Sequence, residues 1–258
     1  MYNLDFLVSA YSDIGIRKET NQDSVLVEVA GYGQDRIAFA VICDGMGGLD
    51  RGELASAAVV RAFSDWFQKT FPQMLQDGFS EKTLKYQWQT ILEDLDRRIA
   101  VYGEQKGITL GTTVVGILIY QGRYYTVNVG DSRIYCIDKT ITCLTKDQSY
   151  VQREVDAGRM TPQQANTDKR RNILLQCVGA SEYMEPEYDT GKIVTGQVYM
   201  LCSDGFRHII TEDEMYERLC PKMLKTEKDM LENAAYLTEL NKKRKEEDNI
   251  SVALIKVC

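Results

Sequence analysis

The sequence predicts an α+β fold in which antiparallel β-sheets are covered by helices. Short apolar runs occur in clusters separated by glycine-containing turns, a pattern typical of antiparallel meanders. Two stretches with a helical apolar period lie between these clusters, and two more precede the last run. Because strands and helices do not alternate singly, a doubly wound parallel sheet is disfavoured. No linker, repeat or low-complexity tract divides the chain, so we predict one domain spanning residues 1–258.

The first half of the chain is predicted to contain three strands followed by two helices. The strands cover about residues 6–11, 24–29 and 36–43, where apolar side chains are bounded by turn residues. The helices cover about residues 53–70 and 81–102, where apolar side chains recur with the helical period. This order places a pair of helices against the first group of strands.

The second half is predicted to contain a strand meander, two helices and a final strand. The sequences Gln121-Gly122 and Gly130-Asp131 are turn signals within the meander, and Pro221 separates the two helices. The predicted strands cover about residues 112–120, 124–129, 134–137, 197–202 and 250–257, and the predicted helices about 212–220 and 227–243.

Charge and composition disfavour several classes of partner. The net charge of −7 argues against a nucleic-acid-binding surface. The apolar runs are far shorter than the about 20 residues that span a bilayer, and the first residues lack signal-peptide features. The seven cysteines form no Cys-x-x-Cys pair, and several lie in apolar runs, which indicates buried thiols in a reducing compartment. We therefore expect a cytoplasmic monomer that binds neither nucleic acid nor membranes.

Two apolar runs end on the dipeptide Asp-Gly, at Asp44-Gly45 and at Asp204-Gly205. If these runs are buried strands, each places a carboxylate where a strand leaves the core. Asp-Gly is also common in tight hairpin turns, but no partner strand follows directly in either case. A capping pair and a helical pattern follow instead; the pairs are Asp50 with Glu53 and Thr211 with Glu214. Two such strand ends could meet and present converging carboxylates to a hard cation.

Two further carboxylates, Asp23 and Asp248, precede predicted strands. Several uncompensated carboxylates in one place repel each other unless a divalent cation lies among them, and all-oxygen ligation suits Mg²⁺ or Mn²⁺. Arg17 lies six residues before Asp23 and would provide a guanidinium fork for phosphate oxygens. Each of these residues alone is more often a turn, cap or surface residue; the combination favours a metal-dependent phosphate site.

Seven short segments, spread over nearly the whole chain, support this interpretation. They are Arg17 with Asn21-Gln22-Asp23-Ser24, Val41-Ile42-Cys43-Asp44-Gly45-Met46-Gly47-Gly48, Gly111-Thr112-Thr113, Gly130-Asp131-Ser132-Arg133, Thr145-Lys146-Asp147-Gln148-Ser149, Leu201-Cys202-Ser203-Asp204-Gly205 and Asp248-Asn249-Ile250. With these segments the chain resembles the type 2C family of metal-dependent protein serine/threonine phosphatases, in its bacterial single-domain form.

The resemblance implies a four-layer αββα sandwich, with two antiparallel β-sheets flanked by helix pairs. It also implies two Mn²⁺ or Mg²⁺ ions bridged by a water or hydroxide that attacks the phosphorus of phosphoserine or phosphothreonine. The substrates would be phosphoproteins made by a serine/threonine kinase in bacterial signalling. A segment at about residues 149–181 would be the family's flap beside the active site.

The resemblance assigns site roles residue by residue. By motif, Asp44 would contact both metals, the Gly45 carbonyl would ligate one, Asp204 and Asp248 would complete the other shell, Asp23 would bind directly or through water, Asp147 would help Asp204 hold a third, weaker metal, and Arg17 would bind the substrate phosphate. We interpret Asp131 as a supporting turn residue and His208, the single histidine, as structural. Met46 stands where animal members have a histidine, so we expect a metal-bound water to protonate the leaving group.

Two other functions compete with this interpretation. A dinucleotide-binding loop at Gly45-Met46-Gly47-Gly48 is excluded, since the third glycine of that motif would fall at Asp50. The other rival is a catalytically silent relative that binds phosphoproteins. The intact set of four aspartates argues for an enzyme.

Overall fold

The computed structural model describes residues 4–47 and 51–258. Its strands are β1 (Phe6–Asp13), β2 (Asp23–Tyr32), β3 (Asp35–Gly47), β4 (Leu110–Thr112), β5 (Val114–Tyr120), β6 (Arg123–Val129), β7 (Arg133–Ile137), β8 (Ile141–Cys143), β9 (Glu187–Lys192), β10 (Val198–Cys202) and β11 (Ile250–Val257). Its helices are α1 (Gly52–Asp65), α2 (Phe71–Asp77), α3 (Glu81–Lys106), α4 (Tyr150–Asp156), α5 (Pro162–Thr167), α6 (Asp204–Arg207), α7 (Glu212–Leu219) and α8 (Glu227–Lys243).

The strands form two antiparallel sheets. One sheet has the order β1-β11-β10-β7-β8, and the other has the order β2-β3-β5-β6-β9 with β4 added beside β3. Non-neighbouring parts of the chain therefore become neighbouring strands, most clearly where the last strand, β11, lies between β1 and β10. The predicted antiparallel arrangement is confirmed.

Three apolar layers show how the sheets and helices stack. Side chains of β3 alternate, because successive residues of a strand point to opposite faces. Phe39 and Val41 pack toward α1 and α3, whereas Ala38, Ala40 and Ile42 pack toward the other sheet. A third apolar layer joins the outer face of the sheet that contains β10 to α7 and α8. The molecule is thus helices, sheet, sheet and helices, which confirms the predicted sandwich.

The helix predicted at 53–70 differs from the observed structure. Helix α1 ends at Asp65, a π-helical segment follows at Trp66–Thr70, and α2 begins at Phe71 with a proline in its first turn. The wider π turn lets Trp66 and Phe67 both pack on Phe39, with ring centroids 5.5 and 5.1 Å away. The aromatic residues continue the apolar period across the π-helical segment, so the sequence pattern did not reveal the end of α1.

Strand β9, at the edge of its sheet, was not predicted. Its sequence, Glu187–Lys192, is polar and largely half-exposed, since only one of its edges pairs with another strand. Among the capping pairs, Thr211 and Glu214 form the predicted capping box at α7. Asp50 lies outside the described residues. Within the described part of the chain, no helix is long and apolar enough to cross a membrane.

Candidate active site

The four predicted metal-ligating aspartates come together at one end of the sandwich. Asp23 begins β2 and faces Asp44 near the end of β3, directly across the strand pair. Asp204 follows β10, and Asp248 precedes β11, its antiparallel neighbour. Because adjacent antiparallel strands run in opposite directions, the end of one lies beside the start of the next. The topology therefore brings carboxylates from both sheets to one edge.

The pKa directions show how closely these carboxylates lie. Desolvation raises the pKa of Asp44 well above its ordinary value, and neighbouring carboxylates raise it further. These neighbours are, in decreasing order of effect, Asp23, Asp204, Asp248 and Asp131. Burial likewise raises the pKa of Asp23 to about 7. Asp44 is thus surrounded by negative charge.

Two carboxylate oxygens of this cluster have no partner among the described residues. Asp23 Oδ1 and Asp204 Oδ1 are buried and accept no hydrogen bond, whereas Asp23 Oδ2 accepts one from Ser203 Oγ at 2.9 Å. Buried oxygens without a donor are costly, and a divalent cation would satisfy them. The donors present, all oxygen, fit Mg²⁺ or Mn²⁺.

The aspartates lie close enough to influence one another's charge, but they do not form a coordination shell. Lys18 Nζ lies 2.8 Å from Asp248 Oδ1 and supplies part of the missing positive charge. In residues 4–47 and 51–258, no three or more His, Cys, Asp and Glu side chains stand in an arrangement that could hold a metal ion. Lys18 thus occupies one of the two Asp248 oxygens that a cation could contact.

Gly45 lies where three backbone segments meet. A Cβ atom at this position would lie 2.5 Å from the carbonyl oxygen of Gln22 and still closer to that of Gly52. The Gly45 amide donates to the Gln22 carbonyl at 3.1 Å, and the Asp44 carbonyl accepts from the Thr113 amide at 2.9 Å. The glycine lets these backbones approach and fixes the position of the Asp44 side chain.

Asp147, the residue assigned to the third metal, is held by arginines. Its two carboxylate oxygens accept from Arg133 Nε and Nη2 at 2.7 and 2.8 Å, and Arg207 Nη2 lies 3.4 Å away. Its assigned role stays a prediction.

Asp131, predicted to be a supporting turn residue, lies beside the carboxylate cluster, and its supporting role stays a prediction. It precedes β7, which neighbours β10, so it lies at the same end of the sheet as Asp204. Burial raises the pKa of Asp131 to about 7, and Asp204 is the next contributor. Gly130, with φ of 103°, makes the turn that places it there. The Gly-Asp turn is visible in the sequence. The strand order that places Asp131 beside Asp204 is not.

A cavity of about 800 Å³ opens beside the carboxylates. Asp204 and Asp248 line it, together with Arg17, Lys18 and Arg171. The Arg17 side chain is 69% exposed and pairs with Glu247, so its guanidinium can exchange partners at the surface. Lys18 and Arg171 were not predicted, since a lone cation in a polar loop carries no sequence signal. The cavity combines a cationic rim with an anionic floor, as a site for a phosphate and a divalent cation requires.

The segment predicted as a flap borders the same cavity. It contains the short helices α4 and α5, and its residues Arg171 and Asn172 line the cavity wall. It is joined to the body of the molecule by backbone hydrogen bonds between Thr112 and Val178 at 2.9 and 3.0 Å.

Comparison with solved structures defines the class of protein. The serine/threonine phosphatase of S. agalactiae superimposes with a TM-score of 0.82 at 28% identity, covering 98% of this chain and 99% of that one. The catalytic domain of the phosphatase PstP, solved in complex with two manganese ions, superimposes with a TM-score of 0.78 at 29% identity, covering 98% and 99%. The fold is therefore that of these serine/threonine protein phosphatases.

Sequence comparison identifies the family. The profile of the protein phosphatase 2C family matches residues 16–251. The Serine/threonine phosphatase stp of Listeria innocua is 30% identical over 227 residues, which are 86% of this chain and 85% of that protein. The chain therefore belongs to the protein phosphatase 2C family. The predicted family and enzyme class, a phosphoprotein hydrolase, are confirmed.

We expect the stabilisation of the protein by Mn²⁺ to grow as the pH rises from about 4 to about 7. An Asp carboxyl ordinarily titrates near pH 3.8, but in the folded chain the pKa of Asp23 and that of Asp131 are raised to about 7. Between these values the metal-free fold binds more protons than the unfolded chain, so it loses stability as the pH rises. A cation replaces those protons and prevents the loss.

The measurement is the melting temperature from pH 4 to 8, with EDTA and with saturating Mn²⁺. The difference between the two series is the useful quantity, because exposed ion pairs such as Glu214 with Arg244 contribute equally to both. A Mn²⁺-induced shift that does not change with pH would contradict the raised pKa values.

Proposed function

We propose that this chain is a metal-dependent protein phosphatase of bacterial signalling that hydrolyses phosphoserine and phosphothreonine and counteracts a serine/threonine kinase. The observation that carries the proposal is the cluster of carboxylates around Asp44 beside a cationic cavity. The family membership supports the reaction class, and the printed names of the relatives, serine/threonine phosphatases, support the choice of substrate.

The metal-holding residues in this proposal are the predicted ones. Asp44, the Gly45 carbonyl, Asp204, Asp248 and Asp23 would hold two divalent cations. When bound, these ions supply a hydroxide nucleophile at neutral pH and neutralise phosphate charge. Mn²⁺ is favoured by the manganese-bound PstP structure, and Mg²⁺ fits the same donors. A third, weaker site at Asp147 and Asp204 remains part of the proposal.

The chain's own cations would orient the substrate. Arg17 would grip the phosphate oxygens by charge-assisted hydrogen bonds, and Lys18, once released from Asp248, would stand beside it. The segment 149–181 would cover the bound peptide, with Arg171 on its inner side. The whole chain, 1–258, would act as one domain.

The remaining proposals concern partners and location. We propose a cytoplasmic monomer, supported by seven free cysteines, and no nucleic-acid partner, supported by the net charge of −7.

Mn²⁺-dependent hydrolysis of p-nitrophenyl phosphate and of a phosphothreonine peptide tests the function. We expect turnover with Mn²⁺, loss of turnover in EDTA, and recovery when Mn²⁺ is restored. A folded protein that binds Mn²⁺ and a phosphopeptide without turnover would favour the alternative, a silent phosphoprotein-binding module.

Replacing Arg17 with Ala is expected to raise KM for a phosphopeptide about tenfold and to lower kcat less than about threefold, since an exposed guanidinium acts mainly in substrate binding. Arg36→Ala is the matched control, because Arg36 is also an exposed arginine in an ion pair but lies at the end of β3 away from Asp44. An unchanged KM for Arg17→Ala would remove this residue from the phosphate site.

A further inference from the structure

The single histidine of the chain lies on the wall of the catalytic cavity. His208 follows α6 with helical dihedral angles, so it stands one helical turn after Asp204, on the same face. His208 lines the cavity together with Asp204 and Asp248, and it also lines a smaller adjoining cavity together with Arg171 and Asn172. It therefore borders both the carboxylate cluster and the segment that would cover the substrate peptide.

A carboxylate orients this imidazole. Glu246 Oε2 lies 2.9 Å from His208 Nδ1, and Glu246 Oε1 accepts from the backbone amides of Glu247 and Asp248 at 2.8 and 3.1 Å. The carboxylate oxygen at this distance is the acceptor, so Nδ1 donates and carries a proton, which leaves Nε2 available for proton exchange.

Departure of the leaving group is assisted by a proton donor, and an imidazole can act as one. A seryl or threonyl alkoxide is a poor leaving group, and its departure is assisted by a positioned acid. Among the described residues that line the cavity there is no tyrosine or cysteine, and the cations other than His208 are arginines and lysines. Arginine and lysine hold their protons too firmly to give them up near neutral pH, whereas imidazole both holds and releases one.

We propose that His208, interpreted from the sequence as structural, is the general acid that protonates the leaving oxygen in place of the expected metal-bound water, an inference that rests on the proposed phosphatase function. As an oxygen from water bonds to phosphorus, the bond from phosphorus to the seryl oxygen breaks and its electron pair stays on that oxygen. The proton on Nε2 passes to it, giving the serine hydroxyl, inorganic phosphate and neutral imidazole. His208 is exposed and regains a proton from solvent. Glu246 is the positioning residue.

Leaving-group dependence tests the proposal, because p-nitrophenolate departs without protonation and a seryl oxygen does not. In His208→Asn the amide can still donate to Glu246, but no group replaces Nε2. We expect kcat for a phosphoserine peptide to fall about 100-fold or more and kcat for p-nitrophenyl phosphate to fall less than about fivefold. Phenyl phosphate, with a more basic leaving group, should give an intermediate loss.

Two outcomes would overturn the proposal: equal losses on the peptide and on p-nitrophenyl phosphate, or no loss on either. His208→Gln is the second variant and should show the same difference between the loss on the peptide and the loss on p-nitrophenyl phosphate. Assays are run below the melting temperature of each variant, so that a change in stability is not mistaken for a change in chemistry. Glu246→Gln should also lose more activity on the peptide than on p-nitrophenyl phosphate, but by a smaller factor. Absence of Mn²⁺-dependent turnover in the unmodified protein would instead contradict the proposed function itself.

Discussion

Asp44→Asn is expected to lower kcat for a phosphopeptide by about 1000-fold or more, equivalent to about 4 kcal/mol of activation free energy. Asp44 is the residue on which four other carboxylates act, so it lies at the centre of the cluster. An amide keeps the size of the side chain but supplies one neutral oxygen, which binds a divalent cation weakly. The measurement is steady-state turnover over a range of Mn²⁺ concentrations.

The same variant should stabilise the metal-free fold. In EDTA at pH 7 the unfolded chain ionises Asp44, whereas folding must either bury that charge beside Asp23 and Asp204 or protonate the carboxylate. An amide avoids both costs, so the melting temperature should rise. Asp35→Asn is the matched control, since Asp35 begins the same strand at the end away from the cluster. Turnover of Asp44→Asn within about tenfold of the unmodified protein would remove Asp44 from the centre of the site.

Gly45→Ala is expected to destabilise the fold by about 3 kcal/mol or more, because the added methyl group meets backbone atoms that cannot rotate away. The carbonyl oxygens of Gln22 and Gly52 both lie inside normal contact distance of the new atom. For a chain of this size the melting temperature should fall by about 10 °C. Displacement of the strand end would also displace Asp44, so turnover should fall with stability.

Gly31→Ala is the matched control for that experiment. Gly31 lies in β2, the neighbour of β3, and nothing lies within 4 Å of a Cβ built there. Alanine is favoured over glycine within a strand, so this variant should melt at or slightly above the temperature of the unmodified protein. Equal melting temperatures for the two variants would show that the close backbone approach at Gly45 does not constrain the fold.

The strands in the core of each sheet and the edge strands β1 and β2 could be predicted from the sequence, whereas the short edge strands β8 and β9 could not. Strands β3, β5, β10 and β11 are continuous apolar runs because both of their faces are buried. Strand β9 pairs on one edge and is polar, so its sequence resembles a loop. The π turn after α1 depends on how Trp66 and Phe67 pack on Phe39, which is a tertiary effect.

Site residues could be predicted where a carboxylate directly follows or precedes an apolar run. Asp44 and Asp204 follow apolar runs, so the local pattern placed each of them at a strand end, where the two could meet. Asp131, Lys18 and the pair formed by His208 and Glu246 join the site only because β7, β10 and β11 are neighbours and because loops close over that edge. Strand order is set by long-range packing and leaves no local signal.

The binding of Mn²⁺ to the chelated protein, measured by titration calorimetry with turnover followed in parallel, tests the central claim most directly. We predict that about two Mn²⁺ ions bind per chain, that turnover follows their occupancy, and that Asp44→Asn removes most of the binding. A folded chain that binds no Mn²⁺, or that hydrolyses phosphopeptides at full rate in EDTA, would contradict the account.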